Sequence, residues 1–521
     1  MIGEIKEGKN LNITSKILIS SILLLAVVIA GFIASQGQLI YLLAIPVIIA
    51  GMIIAFNSEL LLLVTLFGGL VISGILQLYV PQLQLLRWAF SVSATFLIVH
   101  VVINAYKNDS LSFKIDSSIL FWALCFIAVL SIVSVFQNHS LSTAIVGIKG
   151  YLQVWGILFA LALLPWKTSH VNKYPLIILL VALLQIPFVL HQFFILVPMR
   201  TLITNVAGLV PIDIVSGTFG GKIDQGGANA ALTVLCFIAG AGITALWKHK
   251  LIAFHVFAIL ITLVMFPAFI NSTKVSVIYL FVVLIVIFID ELIFDPFKFI
   301  SKLLAVIGLC FILALSVIKT MPESSNVSSL SDLYEHTYGY NVESDNIRDN
   351  NLSRTGTIKA WLNPIKAHDL SNQILGYGIG SSRLIDSSSG QNISSVINLE
   401  RATGVTAIAA IIWETGILGV LTIIMLFISA FFVTMKLKRI YLSPYHQSIF
   451  SSMQCAVIIL FISLGHHNFF ILHIGFQTMF VAIFGYIAFW ERQANRELHQ
   501  NIDYKINYMS KIFNYDYDDF D

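Results

Sequence analysis

Chemistry on an anionic group needs cations, and this chain has few enough charges to follow one at a time: 30 Lys and Arg and 27 Asp and Glu in 521 residues. Arg354 lies within a long polar segment and Arg401 near its end, while Lys149, Lys222 and Lys274 sit at or between the ends of apolar runs. A guanidinium offers a planar fork of donors and an ammonium a compact point charge. Such a set grips phosphate through charge-assisted, often bidentate hydrogen bonds. The same bonds stabilise negative charge that gathers on a bound anion. Among groups able to take a proton from a hydroxyl, Glu400 is best placed by sequence, with His466 and His467 second. Glu414 falls inside an apolar run, where insertion scales give a carboxylate a cost of roughly 2.5–3.5 kcal/mol unless it is paired or wet.

The elements that must position these side chains are membrane helices. Hydrophobic residues make up 58% of the chain and charged residues 11%, and the mean hydropathy is +0.89. A water-soluble fold cannot hide that much apolar surface. The expected fold class is an all-α polytopic membrane protein of about 14 helices, because lipid offers the backbone no hydrogen-bond partners. The expected spans are 17–34, 39–55, 60–79, 88–105, 118–136, 144–164, 174–197, 228–247, 251–270, 275–294, 303–317, 405–435, 449–465 and 469–490. The first has transmembrane length and no clear small-residue cleavage site, so it reads as a span rather than a removed signal. With the amino terminus inside, 18 of the 30 basic residues fall in cytoplasmic segments, so both termini are expected in the cytoplasm. Seven of the other 12 lie in one large loop, too long to obey the charge rule. The remaining five, Arg87, Lys149, Arg200, Lys222 and Lys274, sit where topology disfavours them, which makes them candidates for function.

The chain then divides into spans 1–11 over 1–318, including an outer glycine-rich segment 198–227, a large outer loop 319–403, the last three spans over 404–490, and a cytoplasmic tail 491–521. The glycine-rich segment, Gly217-Thr218-Phe219-Gly220-Gly221 through Asn229, permits either close approach of backbone to a ligand or simply a flexible turn at the membrane edge. In the large loop, Ser353 is a plausible N-cap. Ile358, Trp361, Leu362 and Ile365 then recur at helical spacing, predicting an amphipathic helix on the outer membrane surface that Pro364 ends or bends. Leu375-Gly376-Tyr377-Gly378-Ile379-Gly380 has the outline of a nucleotide loop but follows no strand of a βαβ unit. Cys125, Cys236, Cys310 and Cys455 all fall in apolar runs without metal-type spacing, so neither a disulfide framework nor a zinc site is expected. The net charge of +3 is small and dispersed, which argues against nucleic acid.

Taken in order, these motifs resemble the bacterial Wzy-type O-antigen and exopolysaccharide polymerases and the O-antigen ligase superfamily. Arg354 followed by Trp361, Gly376 with Gly378 and Gly380, and Glu414 with Gly416 and Gly419 carry the likeness, with Asn271-Ser272-Thr273-Lys274 and the Phe219-to-Asn229 segment. It covers mainly residues 215–420. The resemblance implies a glycosyltransferase of the bacterial inner membrane that polymerises undecaprenyl-pyrophosphate-linked repeat units at the periplasmic face, with no metal or other cofactor. It implies Arg354, Arg401 and Glu400 as catalytic residues. It implies Lys149, Lys222, Lys274, Gly376, Gly378, Glu414, His466 and His467 as substrate-binding residues. The implied partners are the lipid-linked oligosaccharide, membrane lipids, a chain-length regulator and a flippase.

Ligases of the superfamily carry a His about nine residues before the Glu, where this chain has Val405, so polymerase ranks above ligase. A flippase or secondary transporter is the rival from another class. It would show cations at span centres or repeated halves, and this sequence has neither pattern. Each residue also has an ordinary alternative: lysines at helix ends snorkel to headgroups, histidines at helix ends cap or pack, and Glu414 can pair with a neighbouring helix.

Overall fold

The computed structural model describes residues 51, 53–107, 116–137, 141–207, 210–223, 227–271, 273–320, 331–332, 338, 354–362, 369–382 and 406–514. Contacts divide the chain into two compact units, Met1–Val64 and Thr65–Asp521. In the first, Asn57 Oδ1 accepts from the backbone N–H of Glu59 and Leu60 at 3.1 Å each, capping the helix that begins at Ser58.

Among the described residues the regular elements are helices, beside a lone antiparallel bridge between Gly221 and Gly227. We number those used below in chain order: α1 (Ser58–Phe67), α2 (Ser73–Tyr79), α3 (Arg87–Lys107), α4 (Ser118–Phe136), α5 (Leu141–Leu152), α6 (Gly156–Leu163), α7 (Tyr174–His191), α8 (Val197–Ala207), α9 (Asn229–Lys248), α10 (Phe254–Ile270), α11 (Ser276–Ile287), α12 (Pro296–Thr320), α13 (Arg354–Leu362), α14 (Leu370–Leu375), α15 (Ala407–Ile440), α16 (Pro444–His466), α17 (Phe469–Leu472) and α18 (Ile474–Asn514). Eight helices among the described residues are long and apolar enough to cross a membrane, or nine if α5 and α6, bent by 42°, form one span. Expected spans 17–34 and 39–55 fall almost wholly outside the described residues. α10 and α11 are shorter apolar helices.

Apolar side chains point both inward and outward. α9 is buried along most of its length between its neighbours, while Leu202, Phe136 and Val135 are more than 70% exposed. Such an exterior suits hydrocarbon, where packing rather than exclusion of water holds helices together. At the interior, the Phe126 and Trp155 rings stack at 5.7 Å and the Phe480 and Phe484 rings lie 4.4 Å apart. At the end of the bundle read as cytoplasmic, the Glu491 carboxylate accepts from Ser117 Oγ at 2.6 Å and from Ser118 N and Oγ at 3.1 and 2.8 Å, closing the start of α4. Beyond Glu491 the expected tail continues as helix to Asn514.

Two expectations change. The helix over Arg354–Leu362 is present, but Trp361 is buried against Tyr377 and Trp413 instead of facing the membrane surface. A large ring with an apolar partner at hand gains more from burial there than from lying at an interface. The apolar run from Ala407 is not one regular helix, because it breaks at Gly416 (φ 63°, ψ −161°).

A candidate anion-binding site

The site is framed by the glycine-rich loop, for which the sequence left open a ligand contact or a flexible turn at the membrane edge. Residues 214–221 are instead buried, and α7 with its extension holds them. Gln192 Nε2 donates to Gly217 O at 2.7 Å, and its Oε1 accepts from Ser216 N at 2.9 Å and Gly217 N at 2.7 Å. Gln185 Oε1 accepts from Thr218 N at 2.7 Å, and Thr218 Oγ1 donates to Leu70 O at 3.0 Å. His473 Nδ1 accepts from Phe476 N at 3.2 Å, which leaves the proton on Nε2 to donate to Phe219 O at 2.6 Å. Irregular backbone survives among apolar helices only where its polar groups are satisfied, and these amide side chains satisfy them.

At the start of this loop, Asp213 joins a polar relay. Asn229 Nδ2, at the first residue of α9, donates to Asp213 Oδ1 at 3.1 Å. The Asn229 carbonyl accepts from Asn271 Nδ2 at 3.0 Å, which also reaches Thr233 Oγ1 at 2.9 Å. Asn271 Oδ1 accepts from Thr273 N at 3.2 Å and Thr273 Oγ1 at 2.9 Å, fixing the turn that carries Lys274. The Asn-x-Thr-Lys motif is thus a device for placing one ammonium.

Electrostatics show what that ammonium faces. Burial pushes Lys274 below the usual lysine range, the Arg354 charge pushes it further, and Asp213 opposes both. Burial raises Asp213 above the ordinary carboxyl range against the attraction of fully buried Arg200, the Asn229 bond and Lys274. His467 is held well below the imidazole range, first by burial and then by His466, Arg354 and His473, so it is neutral at pH 7. Its Nδ1 accepts from Phe469 N at 3.2 Å, which assigns the proton to Nε2. That Nε2–H is buried and has no acceptor among the described residues. Its carbonyl accepts from Ala407 N at 3.0 Å, tying the end of α16 to the start of α15. Arg200, Asp213, Lys274, Arg354, His466 and His467, from separate parts of the chain, therefore influence one another at one end of the bundle.

Arg354 has its own mount. Tyr377 N donates to Trp413 O at 2.8 Å, Gly378 N to Glu414 O at 3.2 Å, and Gly380 N to Glu414 Oε2 at 2.8 Å. Ser382 Oγ donates to the other carboxylate oxygen. Gly376 (φ 74°) and Gly416 (φ 63°) make this docking possible. A Cβ on Gly416 would lie 2.4 Å from Ile374 O, and one on Gly376 would lie 2.5 Å from the Glu414 carbonyl carbon. Trp413 Nε1 in turn donates to Thr357 O at 3.2 Å, holding α13 and hence Arg354. In this structure Glu414 and the glycine-rich segment that carries Gly376 and Gly378 hold each other.

The other expected site residues are placed differently. Lys149 Nζ stands 3.4 Å from the centroid of the Trp88 ring, a cation–π contact. Lys222 is exposed, next to the buried loop in sequence. Arg401 and Glu400 lie outside the described residues. Among the described residues no three His, Cys, Asp or Glu side chains converge as metal ligands. The sequence reading missed Asp213. Its signal was a lone carboxylate four residues before Gly217, just ahead of the glycine-rich run. Compared with known proteins, the chain matches no family model and no curated protein significantly.

Proposed function

We propose that this chain is a metal-independent glycosyltransferase of the bacterial inner membrane, extending a glycan carried on a polyprenyl diphosphate at the periplasmic end of its bundle. The proposal includes fourteen spans with both termini in the cytoplasm, which puts Lys274, Arg354 and His467 on the periplasmic side. The observation that carries it is that Lys274 and Arg354 are held by separate mounts close enough to repel. Like charges brought near one another in a partly buried place attract an anion more strongly than either does alone. A diphosphate at the water–lipid boundary is such an anion, and the neutral His467 Nε2–H adds a donor that brings no further charge. On this reading an acceptor hydroxyl attacks the anomeric carbon, the bond to the diphosphate breaks, and the departing oxygen's charge is met by Arg354 and Lys274.

The test pairs binding with product length. Undecaprenyl diphosphate should bind the purified chain, and Arg354→Ala or Lys274→Ala should weaken that binding tenfold or more while leaving membrane insertion intact. Cells with Arg354→Ala should display single-repeat surface glycans. Long chains retained on the carrier would point to ligation instead. Unchanged glycans with unchanged binding would refute the assignment.

A further inference from the structure

Independently of that reading, we propose that the cleft between α7, α9 and α16 seats one anionic phospholipid, its phosphate on Lys173 and the start of one acyl chain between the helices. The cleft has a volume of about 380 Å³ and a mainly apolar lining, with Lys173 and Tyr445 toward one end and Gly242 and Ser452 toward the other. On α9 it runs from Leu246 back to Ile238, eight positions or ~12 Å at about 1.5 Å per residue. Half of a hydrocarbon core is ~15 Å. The cleft therefore spans most of one leaflet, the depth over which a bilayer lipid's chain runs. It occupies the end of α9 away from Asn229, so it is separate from the relay that carries Lys274. Leu176 lines it and is also exposed, which opens the cleft sideways to the bilayer.

Apolar walls alone would select no occupant, because bilayer tails are as apolar as the helices. Two polar groups do select one. Lys173 is exposed and immediately precedes α7, which starts without a side-chain cap. Its ammonium and the positive end of that helix share one rim, and no carboxylate lines the cleft to compensate them. A lipid phosphate complements that charge. Tyr445 Oη donates to Asn172 O at 2.9 Å, fixing the turn that bears Lys173 against the start of α16. Ser452 is the second group. It lines the cleft and is only 5% exposed. The hydroxyls of Ser73, Ser93 and Ser131 return to carbonyls of their own helices at 2.7, 2.8 and 2.9 Å. That of Ser452 does not, and it has no hydrogen-bond partner among the described residues. A buried hydroxyl left so is costly. An ester carbonyl of a glycerolipid would accept its proton, and that carbonyl follows the phosphate along the lipid as Ser452 follows Lys173 along the cleft. Gly242 leaves room beside it, since a Cβ there would lie 3.3 Å from Ser452 Oγ.

The experiment reconstitutes the full chain in nanodiscs holding equal amounts of phosphatidylglycerol and phosphatidylcholine with matched chains. The chain is then moved to detergent, and the lipid that stays bound is identified by native mass spectrometry. The parent should retain phosphatidylglycerol about fivefold over phosphatidylcholine, the preference one lysine gives an anionic headgroup. Lys173→Gln, a change at an exposed side chain, should bring that ratio close to one. Gly242→Val fills the cleft beside Ser452, and Leu179→Trp fills it from the α7 wall. Each should lower retention of both lipids roughly fivefold or more while the thermal midpoint stays near the parent's. Because they act from opposite walls, a variant that disturbs packing leaves the other to report, and Lys173→Gln reports without touching either wall. Equal retention of the two lipids by the parent would overturn the proposal, as would an unchanged ratio in Lys173→Gln. Displacement of the retained lipid by an equal amount of undecaprenyl phosphate would overturn it too, because the cleft would then belong to the carrier and not to a bilayer phospholipid.

Discussion

Replacing Glu414 with Ala should release the glycine-rich segment without unfolding the bundle, and the size of the effect follows from its partners. Both carboxylate oxygens are engaged, one by the Gly380 N–H at 2.8 Å and one by the Ser382 hydroxyl, in a residue with no exposed surface. Hydrogen bonds to a charged group contribute about 1.5–3 kcal/mol each. Losing both should therefore cost local closure about 3–6 kcal/mol, an opening constant raised roughly 10²–10⁴-fold at about 1.4 kcal/mol per decade. The bonds from Tyr377 N to Trp413 O and from Gly378 N to Glu414 O involve backbone only, so they resist the change and favour the lower end. Glu414→Gln, which keeps an oxygen for the Gly380 N–H and can donate its amide to the Ser382 hydroxyl, should give less than half the effect in free energy. Hydrogen exchange read on peptides covering 376–382 measures this directly, with peptides from α9 and α16 as internal controls. Faster exchange confined to the segment, with slowed glycan extension as Arg354 loses its support, is expected. Unchanged exchange in Glu414→Ala, or an equal rise throughout the bundle, would refute the account of Glu414 as an anchor.

Two other consequences are open to measurement. Gln192→Leu orphans the buried N–H groups of Ser216 and Gly217, at about 1–3 kcal/mol each, so the thermal midpoint in detergent should drop by several degrees; an unchanged midpoint would mean that another group holds the loop. His467 supplies a pH signature: its folded-state proton affinity lies below the unfolded value of about 6.5, so the unfolded chain binds more protons as pH falls. Its contribution is complete above about pH 6.5 and is lost below it at up to about 1.4 kcal/mol per pH unit. His467→Gln, which retains a donor near the Nε2 position, should flatten part of the decline in thermal midpoint between pH 7.5 and 5.5; an identical slope in the variant would show that His467 is not the group responsible.

Much of this was legible because it followed from periodicity and charge. The apolar runs at 118–136 and 449–465 correspond to α4 and α16, and Arg354 opens a helix as its spacing with Trp361 required. What could not be read were interactions that run against local pattern. Gln185 and Gln192 are seven positions apart on one apolar run, so they share a face. The sequence alone, however, does not reveal that this face meets loop backbone. Glu414 looked like an intruding carboxylate because its acceptor demand is met by residues more than thirty positions earlier. The break at Gly416 was invisible for the same reason: only the arrival of Ile374 explains why a backbone conformation so rarely open to side chains is used there.

The two mounts also explain why weak motifs recur together. Lys274 depends on Asn271, which depends on Asn229, which holds Asp213. Arg354 depends on α13, which is held by Trp413, whose carbonyl and whose neighbour Glu414 hold the glycine-rich segment. Neither chain of contacts needs the other for its own satisfaction, and the charges at their tips repel. The proposed diphosphate would take its place between those two tips, each mount presenting one cation to it.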